Sequence, residues 1–73
     1  MKAVLKFDLN EEDDVLAHKR CVKALDMALA LWDIDQHLRS EAKYKDNEVA
    51  EEIRERLHEI MSEHGIIFDD IIV

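Results

Sequence analysis

Residues 1–64 contain neither proline nor glycine; the one glycine is Gly65 and proline is absent. Nothing in that stretch forces the backbone to turn, so breaks must come from helix caps and polar clusters. With no breaker to stop it, a helix that starts near residue 11 continues until polar residues end it. The spacing predicts that helix from about Glu11 to about Ala42–Tyr44. Asn10 is its expected N-cap, and Glu11, Glu12, Asp13 and Asp14 fill the turn where acids favour the positive end of the helix dipole.

The apolar side chains of this helix are too many for one stripe. Val15, Val22, Leu25, Leu29 and Trp32 form one row. Ala17, Cys21, Ala24, Ala28, Leu31, Leu38 and Ala42 form a second, interrupted by Asp35. Between Cys21 and Ile34 the helix is apolar around most of its circumference, the pattern of a helix central in a packed structure. Thirty-two residues at 1.5 Å each also span roughly 48 Å, against an expected radius of gyration of about 11 Å for a chain of this size.

Length then bears on stability. One domain, residues 1–73, is expected, and a chain so short buries only about 60% of the surface its unfolded form exposes. The usual supplements are disulfides, a metal or oligomerisation. A single cysteine permits no intrachain disulfide, while 48% of the residues are hydrophobic. Homo-oligomerisation is therefore the expected supplement.

Lys43-Tyr44-Lys45-Asp46-Asn47 reads as a turn, with Asn47 or Asp46 capping a second, antiparallel helix. Val49, Ile53, Leu57, Ile60, Met61 and His64 share one face of it. Glu51 with Arg54, and Glu52 with Arg56, are expected to pair on the outer face. Gly65 stands where a left-handed residue ends a helix. At the two ends the period changes. Lys2 to Leu9 alternates, with Ala3, Leu5, Phe7 and Leu9 pointing one way, as a half-buried strand does. The β-branched tail from Ile66 to Val73 reads as one strand, or two broken at Asp69-Asp70. The expected fold class is α+β, predominantly helical, in the order β-α-α-β with a small terminal sheet.

Eighteen acids against ten bases give a net charge of −8. That balance argues against direct binding to nucleic-acid backbone and to anionic membranes. A basic protein partner suits it better. The helical part has no apolar run long enough for a membrane span, and Lys2 and Lys6 come too soon for a signal peptide. The lone thiol fits a reducing cytoplasm.

No catalytic residue, metal site or cofactor is expected, and a metal-dependent enzyme is the weakest of the three functional readings, behind an interaction protein and a small-ligand binder. Glu55-Arg56-Leu57-His58 has the Glu-x-x-His spacing of di-iron bundles, but such sites need further inward-facing glutamates, and Glu55 and His58 fall on the expected polar face. The acids of helix two lack the second acidic helix that magnesium chemistry needs. Cys21, on an apolar row, reads as a buried and inert thiol. The acidic groups at residues 8–14, 46–55 and 69–70 sit mostly at helix starts, where they stabilise helices, so mimicry of a phosphate backbone is the weaker reading.

The informative segment is Trp32 to Tyr44. Trp32, Gln36, Arg39 and Lys43 are spaced four, three and four, so a continuous helix places them on one face, with Tyr44 beside them. An indole for stacking, an amide and two cations suit a nucleotide or similar ligand at a subunit interface. A Trp and an Arg equally suit a protein interface. Asp35 and Arg39 are also spaced to pair along the helix.

The opening Val4-Leu5-Lys6-Phe7-Asp8-Leu9, the central Ala30-Leu31-Trp32-Asp33-Ile34-Asp35-Gln36-His37-Leu38-Arg39, Lys43-Tyr44, and the closing Leu57-His58-Glu59-Ile60-Met61 resemble a group of small bacteriophage-encoded hypothetical proteins over nearly the whole chain. No activity attaches to that group, so no residue role is carried over. The resemblance implies a setting: an accessory phage product in the bacterial cytoplasm that binds a host protein or sequesters a signal molecule.

Overall fold

A computed structural model describes residues 1–72. Three helices form: α1 (Glu12–Tyr44), α2 (Glu48–Glu63) and the single turn α3 (Phe68–Ile71). Among the described residues there is no strand, so the chain is helical and the expected terminal sheet is absent. Val73, the last residue of the expected C-terminal strand, lies outside the described residues.

Both corrections have local physical causes. The alternation over Lys2–Leu9 finds no neighbouring strand to pair with, and unpaired backbone favours no sheet. Only Phe7 of this segment is partly covered, with its ring 5.5 Å from that of His18 on α1. Val4 and Leu5 stay about three-quarters exposed, at 75% and 76%. At the other end, Gly65 adopts φ 70° and reverses the chain. The Gly65 N–H donates to the Ser62 carbonyl at 2.9 Å and the Ile66 N–H to the Met61 carbonyl at 2.8 Å. Those two bonds close a Schellman motif. The reversal drives Phe68 inward, where it is buried, and Asp69 and Asp70 then occupy the first turn of α3, where acids are favoured.

The start of α1 is capped differently from expectation. Asn10 is not the cap, and Glu11, which is, makes no side-chain cap bond. Instead Asp8 folds the entry: its carboxylate accepts from the Asn10 N–H at 3.0 Å, and its own N–H donates to the Asp14 carboxylate at 2.7 Å. At the turn, Asp46 takes φ 54° and Asn47 caps α2 by accepting from the Ala50 N–H at 3.2 Å.

The three-residue connection makes α1 and α2 an antiparallel hairpin of unequal arms. Thirty-three residues of α1 against sixteen of α2 correspond to about 50 Å and 24 Å. α2 therefore covers the C-terminal half of α1 and leaves most of the rest bare. The molecule measures 51 × 30 × 19 Å with a radius of gyration of 16.3 Å. Every residue from Cys21 to Met27, two whole turns of helix, is exposed. Cys21, expected to be buried, is exposed, because the tail reaches that row only from Ala24 onward. The buried hydrophobic residues are Ala50, Met61 and Phe68.

Candidate functional site

The most buried side chain described is a charged one. Asp35 projects from the middle of α1's covered half and is 1% exposed. A lone carboxylate at that depth would be costly, so its two oxygens must be satisfied. Oδ1 accepts from Arg54 Nε at 2.9 Å and lies 2.5 Å from His58 Nε2. Oδ2 accepts from Gln36 Nε2 at 3.0 Å and more distantly from Arg54 Nη2 at 3.5 Å. Burial pushes the Asp35 carboxyl up. The hydrogen bonds and positive charge of Arg54 and His58 outweigh that push and hold it below the ordinary carboxylate value of 3.8.

This centre rotates α2 relative to the sequence expectation. Arg54 and His58, one turn apart, face Asp35, and Ala50 and Met61 are buried on the same side. Of the expected apolar face, Leu57 is half-buried and Met61 buried, but Val49, Ile53, Ile60 and His64 are exposed. The expected pairs of Glu51 with Arg54 and Glu52 with Arg56 are replaced. Arg54 turns inward to Asp35, and Arg56 bridges Glu59 at 2.9 Å and Glu63 at 3.6 Å. Asp35 likewise pairs with Arg54 of the facing helix rather than with Arg39.

Beside the Asp35 centre lies a cleft of about 430 Å³ between the two helices and the reversed tail. Phe68 makes its apolar floor, edge-on to Trp32 at 5.1 Å and to His58 at 5.9 Å. Trp32, Gln36 and Arg39 line one wall, as their shared helix face requires. Lys43 and Tyr44 do not reach it. They lie at the end of α1, where the Lys43 ammonium stands 5.4 Å from the Tyr44 ring centre, and both are exposed. Three of the five expected site residues thus come together.

Asp35, Arg54, His58 and Phe68 complete the cleft and were not foreseen as site residues. A signal for Asp35 was present: a lone charge interrupting an apolar row. Phe68 had none, since its place depends on the Gly65 reversal.

Chemically, the centre holds His58 by Nε2 and leaves Nδ1 free. Ser62 lines the same cleft, yet among the described residues no hydroxyl or thiol is hydrogen-bonded to His58. Among the described residues no group of three or more His, Cys, Asp or Glu side chains is placed to hold a metal ion. Nor is any helix of those residues long and apolar enough to cross a membrane.

No protein family, no curated protein and no solved structure matches the chain.

Proposed function

We propose that this chain is a non-enzymatic interaction protein that works as a homo-oligomer and engages another protein through its acidic surface. One observation carries the reading: every residue in two full turns of α1, Cys21 to Met27, is exposed, although five of the seven are apolar. The surface total points the same way. The chain exposes 6409 Å², whereas a compact monomer of 8.6 kDa exposes about 4,700 Å². The excess is roughly twice the 800 Å² or so that each partner buries in a standard interface. It resides in the bare turns of α1, the unpaired first nine residues and the Val49–Ile53–Ile60 side of α2.

The net charge of −8 favours a partner with a basic surface. The phage resemblance makes a bacterial host protein the expected target. Sedimentation velocity at tens of micromolar tests the assembly directly. A species heavier than one chain is expected, and a monomer throughout that range overturns the proposal.

A second reading has its own support, the meeting of Trp32, Gln36 and Arg39 with Phe68 in one cleft. Its volume lies within the range typical of small-molecule sites, and Arg39 makes no salt bridge among the described residues. A nucleotide-like ligand would stack on Trp32 and place its anionic end on Arg39. Under this reading a panel of mono-, di- and cyclic nucleotides raises the melting temperature of the protein, and Arg39→Ala removes the rise without unfolding it. No shift with any of them retires the ligand.

A further inference from the structure

The bare stretch of α1 carries information about how a second copy would sit. Val15, His18, Val22, Leu25, Leu29 and Trp32 follow one another in steps of three and four, the repeat of a two-helix seam. Phe7 already packs at the His18 end. The open part is Val22, Leu25 and Leu29, exposed by 65%, 65% and 43%, with Trp32 half-buried at its far end. The tail reaches only the edges of this row, with Phe68 against Trp32 and Ile66 and Ile71 across a cleft from Leu25, and it leaves Val22, Leu25 and Leu29 exposed.

Charge order along the helix discriminates between the two ways of pairing it. Acids come first (Glu11 to Asp14), then bases (Lys19, Arg20, Lys23), then acids (Asp26, Asp33), then bases (Arg39, Lys43). Laid parallel, two copies set each block against its own sign. Laid antiparallel, the same order reads in reverse: the opening acids meet the Arg39–Lys43 end, and the Lys19–Lys23 block meets the Asp33 end. Lys19 and Asp33 both flank the seam on the same side, two heptads apart, and in antiparallel pairs such flanks face each other. Among the described residues, neither makes a salt bridge within the chain.

We infer that two copies pair antiparallel through α1, an arrangement that rests on the self-assembly proposed above and specifies its geometry. Leu25 of one copy packs against Leu29 of the other on both sides of a two-fold axis near Met27, and Val22 packs against Trp32. Lys19 lies beside Asp33 of the other copy. The acidic opening turn of each α1 approaches Arg39 of its neighbour, on the wall of the Trp32 cleft, and Lys43 beyond it. The same register brings the two Asp26 side chains towards each other at the axis and Glu41 towards the acidic opening turn, its unfavourable meetings.

Two measurements on the full chain test this. Cys21 is the only cysteine and is exposed, so a spin label there reports one distance per dimer. The antiparallel register offsets the two labels by twelve residues, about 18 Å along the axis, and about 9 Å across it. A distance centred near 20 Å is expected, against about 10 Å for a parallel pair.

Sedimentation equilibrium reads the charges. Lys19→Asp alone and Asp33→Lys alone should each weaken association about tenfold, and the two together should restore it. Asp26→Asn should tighten it at least threefold. If the wild type dimerises but the label distance falls outside about 15–30 Å, or the double exchange fails to restore association, the antiparallel arrangement is overturned and self-assembly stands. If the wild type is a monomer at tens of micromolar, both fall together.

Discussion

Asp35 shows how one residue can set the packing of two helices. Once α1 and α2 close, its carboxylate has no water to turn to, and Arg54 and His58 must supply the bonds. Removing a partner from a buried pair costs about 3 kcal/mol, because the remaining charge is left uncompensated. Arg54→Met should therefore lower the melting temperature more than Arg56→Met, whose guanidinium serves an exposed pair worth at most about 1 kcal/mol.

Acid is a second probe of the same centre. Asp35 titrates below its ordinary value of 3.8 when folded, so the unfolded chain binds its proton first. Its contribution to stability is complete above pH 3.8 or so and is lost as pH falls through the lower, folded value. Circular dichroism melts should show a stability loss below about pH 4 that Asp35→Asn lacks. A wild type as stable at pH 3 as at pH 6 would contradict the account.

At the scale of elements, both helices were legible in the sequence. The long breaker-free run, the acidic opening turn, the Asn47 cap and Gly65 are local devices, and each works through neighbours a few residues away. Their ends fell within a residue or two of expectation for that reason. The terminal strands failed because a strand is not a local object. Its alternation specifies a face, but its stability comes from a partner strand elsewhere, and here the tail instead followed the Gly65 reversal. Gly65→Ala should cost about 1 kcal/mol, read as a fall in melting temperature. The cause would be the left-handed φ alone, since a Cβ at that position meets nothing within 4 Å. The candidate site divides the same way. Trp32, Gln36 and Arg39 share a face by helical spacing, whereas Arg54, His58 and Phe68 join them only through the hairpin and the folded-back tail.

For the whole molecule, the open question raised by the fold is what covers α1. Ala50, Met61 and Phe68 are a small core for a 73-residue chain. An assembly held through α1 ties folding to association, so the melting temperature should rise with protein concentration. Leu25→Glu should abolish that dependence and leave a monomer of reduced stability. A concentration-independent melt in the wild type would place the stability of the fold within one chain.

The amino-acid order alone determined that this protein holds two main helices joined by a turn within residues 43–47. It also determined that the first is apolar on more sides than one short helix can cover. Periodicity, caps and breakers act over a single helical turn and need no knowledge of the rest. Only the tertiary structure decided which side of α2 faces inward, that Asp35 is the residue buried between the helices, and that the tail closes a cleft as a helical turn. A buried carboxylate selects its partners by distance in space, and residues nineteen and twenty-three positions away come within reach only when the hairpin shuts.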